Sequence, residues 1–292
     1  AGSSISSAAM ACALPYRKAM SSRFENLPNR RAIVDRRALA EAIAALEIDD
    51  PALLRRTATA MLKDALDAGR NEIARRLAER PSRGLEAANA QAFLVDQLLH
   101  ILLDLVTRRL YPLSNPTGGE RLVLVAVGGY GRGEMAPFSD VDIGFLTPWK
   151  QTPWAEQVIE STLYALWDLG LKVGHSSRSL DEMVRQAKAD VTIRTALLEG
   201  RLVWGDAALY EEAMARFKAE VTQGTERQFI ADKLAERNAR HLKMGDTRYV
   251  VEPNVKEGKG GLRDLHALFW IGKYVYDVER AGQLVTLSLI HI

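Results

Sequence analysis

Cysteine is nearly absent from this chain: one residue, Cys12, in 292. A lone thiol excludes an intrachain disulfide framework and a thiolate metal cluster, so a reducing cytoplasm is the expected compartment. A surplus of charge is missing as well. Lys and Arg number 39 against 37 Asp and Glu, a formal net charge of +2, so nothing advertises a nucleic-acid coat or an oppositely charged tail, and no nucleic acid is expected as a partner. Long hydrophobic runs are lacking too. The charge-free first sixteen residues are small, and the run Leu122–Gly131 has only ten residues, so neither reads as a membrane span. No basic lead precedes an apolar core at the N-terminus, where Arg17 and Lys18 follow the small residues, so no secretory signal is expected. What is present is 47% hydrophobic and 26% charged residue, enough to bury two ordinary cores or one large one.

Periodicity sets the order of elements. From Leu53 to Arg80, Leu54, Ala58, Met61, Leu62, Ala65, Leu66, Ile73 and Leu77 recur at three- and four-residue steps, the stripe of an amphipathic helix. Ser82, after Pro81, is the expected cap of a second helix over Leu85–Leu110, closed by Pro112. The period then changes. Leu122–Val127 is a continuous apolar run ended by Gly128 and Gly129, which suits a strand buried on both faces. Val141–Leu146 reads as a second strand, with Asp140 and Asp142 on the face opposite Val141 and Ile143 because side chains repeat every two residues. A helix over Trp154–Leu169, stopped by Gly170, and a short third strand over Leu171–Gly174 follow. Asp190 can cap the next helix, up to Glu199, and helical patterns over Ala207–Val221 and Glu226–His241 lead into a mainly helical remainder.

Chemistry concentrates in Val127-Gly-Gly-Tyr-Gly-Arg-Gly-Glu-Met-Ala-Pro-Phe-Ser-Asp-Val-Asp-Ile143. Four glycines after a buried strand let consecutive N–H groups converge on an anion, the outline of a phosphate cradle. Ten residues separate Gly129 from Asp140. Asp140 and Asp142 then project from one strand face, roughly 6 to 7 Å apart from the strand rise. Two such carboxylates can hold a hard divalent cation whose octahedron is completed by substrate phosphates, an arrangement that favours Mg²⁺. Two other phosphate motifs fail on the residues. A dinucleotide fingerprint starting at Gly128 meets Tyr130 at its third position, and one starting at Gly129 meets Glu134 at its sixth. A P-loop would need Lys and then Ser or Thr where Glu134 and Met135 stand.

Gly-Gly followed by Asp-x-Asp resembles the signature of the polymerase-β-like nucleotidyltransferase superfamily. The longer string Gly-Gly-Tyr-Gly-Arg-Gly-Glu to Ser-Asp-Val-Asp is similar to its bacterial nitrogen-regulation branch. Val173-Gly-His-Ser176 and, more specifically, Val251-Glu-Pro-Asn-Val-Lys-Glu-Gly-Lys-Gly-Gly-Leu-Arg-Asp-Leu265 resemble segments of the bifunctional PII uridylyltransferase/uridylyl-removing enzymes. The likeness covers roughly residues 30 to 285. It implies transfer of UMP from UTP to a tyrosine of the PII signalling protein, with Mg²⁺ and release of pyrophosphate. It further implies that Gly128, Gly129 and Gly133 hold the triphosphate and that Asp140 and Asp142 bind metal. Arg132 is then expected to neutralise phosphate charge and Ser139 to orient the loop. Longer family members continue into an HD-type hydrolase domain and two glutamine-sensing ACT domains. This chain has no His-Asp dipeptide, so transferase chemistry alone is expected of it, with glutamine control left to a longer parent.

The expected fold class is α/β (α+β): a polymerase-β-like nucleotidyltransferase core with a small mixed sheet, flanked by helical segments. The expected divisions are a flexible lead at 1–36, a helical segment at 37–115, the core at 116–206, a helical segment at 207–286 containing the 252–264 loop, and a tail at 287–292. That hexapeptide matches the translation of a transposon-end sequencing adapter, so the chain is expected to be a fragment with a tail that is not native. The superfamily's usual third carboxylate is missing from the third strand, where Lys172 and His175 stand; Glu199 or Asp190 are the candidates to replace it, or two acids suffice. Lys256, Lys259 and Arg263 either close over an anionic partner or are simply solvated. Two rivals remain at this point. One is adenylylation of glutamine synthetase or modification of a small molecule, because the core motif holds a triphosphate without reading its base. The other is a catalytically idle nucleotide sensor.

Overall fold

The computed structural model describes residues 24–115, 117–249, 251–279 and 282–289. Residues 1–23, most of the expected lead, and residues 290–292 of the expected tail lie outside that set. The chain divides into two compact units, Ala1–Asp181 with Glu199–Glu212 and Glu182–Leu198 with Ala213–Ile292.

The first unit opens with helices α1 (Arg30–Ile33), α2 (Arg36–Ala44), α3 (Pro51–Glu79) and α4 (Gly84–Leu105), the last widening into a π turn over Val106–Leu110. Core structure therefore starts earlier than residue 37: Phe24, Leu27, Ile33 and Val34 are all buried, because their apolar side chains close the end of the α3–α4 pair. Asp50 caps α3, accepting from the amides of Ala52 and Leu53 at 3.3 and 3.1 Å, with Pro51 supplying the preset first position. Ser82 does not cap α4. Pro81 starts a 3₁₀ turn that takes Ser82 into itself, and Arg83 stands at the cap position without a side-chain bond. The segment Pro81–Leu110 is long and apolar enough to cross a membrane, yet its apolar window is mostly buried inside the protein, as a core helix would be. Leu94, Leu99 and Leu103 are fully enclosed.

Four strands form a mixed sheet in the order β3-β2-β1-β4: β1 (Val123–Ala126), β2 (Val141–Thr147), β3 (Val173–Ser179) and β4 (Arg201–Gly205). β1 runs antiparallel to β2 and β4, and β2 parallel to β3. One face carries Leu124, Ala126, Val141, Ile143 and Phe145 into the helical core. The other carries buried Val123, Val125 and Leu146, with Asp142 at its end. β3 begins and ends later than expected because β2 runs on to Thr147 and offers a ladder along its whole length, so the polar Ser176–Ser179 stretch is held by backbone pairing. β4 was not anticipated. Helix α6 (Pro153–Asp168) is capped by Thr152 and closed by Gly170 at φ +75°.

The second unit is helical: α8 (Val191–Leu198), α10 (Glu226–Lys243), α11 (Leu262–Tyr276) and α12 (Gly282–Thr286), with α7 (Leu180–Ala189) and α9 (Ala207–Phe217) each crossing its boundary. Phe229 of α10 stacks on Tyr274 of α11 with ring centroids 3.8 Å apart, and buried Lys233 lies 4.5 Å over the Trp270 ring. The Asp264 carboxylate accepts from the Gly260 amide at 2.7 Å, lies 2.9 Å from His241 Nε2 and pairs with Arg240, so it fastens the preceding loop onto both helices. Lys259 pairs with Asp246 and Arg263 with Glu257 inside that segment.

Candidate functional site: a glycine turn facing an aspartate strand

β1 ends at Ala126, and the next residues form a single helical turn, α5 (Gly128–Gly131), headed by Val127 in extended conformation. Gly128 sits at φ +58°, which side-chain-bearing residues adopt at a cost. The first amides of such a turn, those of Gly128 and Gly129, have no acceptor within it, the general feature by which helix starts can receive anions. The turn is closed by bonds from the amides of Gly131 to Val127 O, Arg132 to Gly128 O and Glu134 to Gly129 O, all between 2.9 and 3.0 Å. Gly133, at φ +74°, reverses the chain, and Asn89 Nδ2 donates to its carbonyl at 2.7 Å.

The β1–β2 register brings this turn to Asp142. The Val127 amide donates to the Asp142 carbonyl at 3.0 Å, and a Cβ placed on Gly128 would lie 3.4 Å from Asp142 Oδ2. On the other side, β3 sets Gly174 level with Asp142, and a Cβ there would collide with Oδ1. The carboxylate thus lies between two positions that carry no side chain. Asp140 precedes β2 on an exposed loop, and its side chain has no partner among the described residues. Ser139 is exposed beside it, its amide bonded to Ala136 O at 3.1 Å; Phe138 before it is exposed at φ +65°. Of the expected residues, the structure sets Gly128 beside the Asp142 carboxylate, with Asp140 two positions before it in the chain.

Arg132 has acidic partners that its place in the glycine stretch did not disclose. Its Nη1 reaches both carboxylate oxygens of Glu199 at 2.7 Å and its Nε reaches Glu134 at 3.1 Å. Burial opposes its charge, and the Glu199 carboxylate outweighs that, holding the guanidinium above its usual value. Glu199 is consequently engaged with a base, and among the described residues no three acidic, imidazole or thiol side chains converge as a metal cluster. Lys172 and His175 are exposed, and Asp190 instead caps α8 through the Thr192 amide at 2.6 Å. Asp140 and Asp142 are the two carboxylates that could serve a cation which keeps most of its coordination for water and phosphate.

Beneath the turn lies a buried trio that spacing did not disclose. The Tyr130 hydroxyl donates to Asp96 Oδ1 at 2.7 Å, and Arg201 clamps the same carboxylate at 2.7 and 3.0 Å. Arg201 also donates to the carbonyls of Tyr130 and Gly131. Burial foremost, with the Asp96 charge, pushes the Tyr130 hydroxyl well above its ordinary pKa, so it stays a donor. The available signal was Asp96 itself, the one charge in an apolar helical stretch from Ala92 to Leu103.

These features define a nucleotidyltransferase core, and the family profile described as a nucleotidyltransferase domain matches residues 117–202. A second profile, the GlnD PII-uridylyltransferase, matches residues 228–291. The chain is 62% identical over 264 residues to a bifunctional uridylyltransferase/uridylyl-removing enzyme of Novosphingobium aromaticivorans, covering 90% of this chain and 29% of that protein. It is 57% identical to the protein so named from Erythrobacter litoralis over the same shares, and 50% identical to that of Rhodospirillum rubrum over 89% and 28%. Over most of its length the chain is similar to these uridylyltransferases, and it spans less than a third of the length of these relatives.

Proposed function

We propose that the first unit catalyses transfer of UMP from UTP to a tyrosine hydroxyl of the PII signalling protein in the cytoplasm. The observation that carries the reading is the Asp142 carboxylate set between Gly128 and Gly174 with Asp140 beside it. The names of the relatives support the base, and the profile described as GlnD PII-uridylyltransferase supports the acceptor. In this reading the amides of Gly128 and Gly129 bind triphosphate oxygens, and Gly133 lets the chain turn back to bring Ser139 and Asp140 alongside. Asp140 and Asp142 hold Mg²⁺, which when bound neutralises phosphate charge and assists the departing pyrophosphate. The tyrosine oxygen forms a bond to the α-phosphorus, the bond from that phosphorus to the bridging oxygen of the β-phosphate breaks, and the hydroxyl proton passes to solvent.

The test incubates the protein with PII and either labelled UTP or labelled ATP, with Mg²⁺. Label on PII tyrosine from UTP is expected. Asp142→Asn is expected to remove at least 100-fold of the rate, about 2.7 kcal/mol of transition-state stabilisation, with the fold retained by circular dichroism. Label from ATP alone overturns the base assignment, and full activity of Asp142→Asn overturns the metal site.

A further inference from the structure

We infer that Glu199 is a positioning residue for the nucleotide, acting through Arg132; the inference rests on the transferase reading of the glycine turn. Glu199 is among the most enclosed acids of the chain, its side chain 2% exposed, and both of its oxygens accept from one nitrogen of Arg132. An acid in such a place is costly unless it is paired, so the two side chains hold one another in one geometry. The backbone of Glu199 is equally committed. A Cβ on Gly131 would collide with its carbonyl oxygen and lie 2.9 Å from Ala126 O, so the end of the glycine turn is wedged between β1 and the strand that follows Glu199.

The pair points the guanidinium at the cradle. Arg132 Nη2 lies 3.6 Å from where a Cβ of Gly129 would stand, while Nη1 bonds Glu199 and Nε bonds Glu134. The planar fork of arginine makes this aim possible: two edges anchor while the third side faces the turn, which a lysine cannot reproduce. Glu199 therefore sets the direction from which positive charge meets the triphosphate. It is not a third metal ligand, because the base between it and the cleft uses both of its oxygens.

The test compares Glu199→Gln, Arg132→Lys and the double variant. Glu199→Gln keeps the volume and one acceptor but loses the charge. It is expected to raise KM for UTP about tenfold with kcat within about twofold, the signature of lost uniform binding. In the Arg132→Lys background the same change is expected to add nothing, because the effect travels through Arg132. Unchanged KM in folded Glu199→Gln, or fully additive effects, overturns the inference. If Glu199→Gln does not fold by circular dichroism, Glu199→Asp, which keeps the charge and shortens the reach, is expected to raise KM in the same direction. Calorimetric binding of UTP separates this from the activity itself. A wild type that binds UTP without transferring it refutes the transferase reading, while weaker binding by Glu199→Gln still sustains the positioning role. Equal binding by both sinks it, and so does a wild type that binds no nucleotide.

Discussion

Replacing Gly174 by alanine should disturb the Asp142 carboxylate while leaving both aspartates in the sequence. Gly174 pairs with Asp142 in the parallel β2–β3 ladder, which runs from Val141↔Val173 to Thr147↔Ser179. Its φ is not in the left-handed region, so the strand accepts alanine without backbone strain. The added methyl, however, falls on Asp142 Oδ1 well inside the ordinary carbon–oxygen contact of about 3.3 to 3.6 Å. A ladder of seven pairs resists displacement more than a short carboxylate resists rotation, so the carboxylate gives way. Overpacking of this kind costs about 1 to 3 kcal/mol in a closed core. Here the colliding atom ends a half-buried side chain, so about 1 kcal/mol is expected, a melting shift of about 2 to 4 °C for a chain this size. A displacement of about 1 Å at a reacting centre costs about 100-fold, so kcat/KM for uridylyl transfer is expected to fall by about that factor. Label transfer to PII and differential scanning fluorimetry read the two quantities. Gly174→Ala with kcat/KM within threefold of wild type would refute the geometry. The same collision explains why β3 brings no third carboxylate to this level of the sheet.

Three further outcomes follow from the buried charges and the exposed acid. His100 is held down at about 4, by burial first and the Arg36 charge second. A histidine with a lowered folded pKa resists protonation that the unfolded chain accepts, so its contribution is complete above about 6.5 and is lost as pH falls towards 4, by about 3 kcal/mol; urea titrations of wild type and His100→Leu should show the pH slope flattened in the variant. Asp96→Asn leaves Arg201 without its clamp beneath the glycine turn and is expected to cost about 3 to 5 kcal/mol by chemical denaturation; a loss under 1 kcal/mol would mean the trio is not a structural anchor. Asp140 has no side-chain partner among the described residues, so the melting temperature of Asp140→Asn should match wild type while transfer falls at least 100-fold, and a matching rate would remove Asp140 from the proposed metal site.

What could be read from residues alone was set by how far apart the interacting groups lie. The stripe along α3, the apolar run of β1 and the Gly–Asp spacing are local, and a three- to four-residue or two-residue period reports them directly. β3 and β4 escape this logic for different reasons. Ser176, Ser177 and Ser179 carry no apolar alternation because their strand is held by main-chain pairing to β2, and β4 is a five-residue element whose Leu202 and Val203 look like any short apolar step. In the site, the glycines and aspartates were legible as candidates, because phosphate and metal chemistries demand glycine and carboxylate at fixed intervals, and the β1–β2 register does set Gly128 beside Asp142. The disposition of Arg132 was not. A cation next to a phosphate cradle reads as a phosphate ligand, but the acid that orients it, Glu199, stands 67 positions further along. Asp96, which supports the same turn, reaches Tyr130 across 34 positions and Arg201 across 105. The groups that would touch the nucleotide are thus close in sequence, whereas those that hold them in place are distant. Each support is a buried ion pair, which costs more to break than it returns when formed. Such pairs specify one orientation of the turn, and that is the property a transferase needs from the residues behind its substrate.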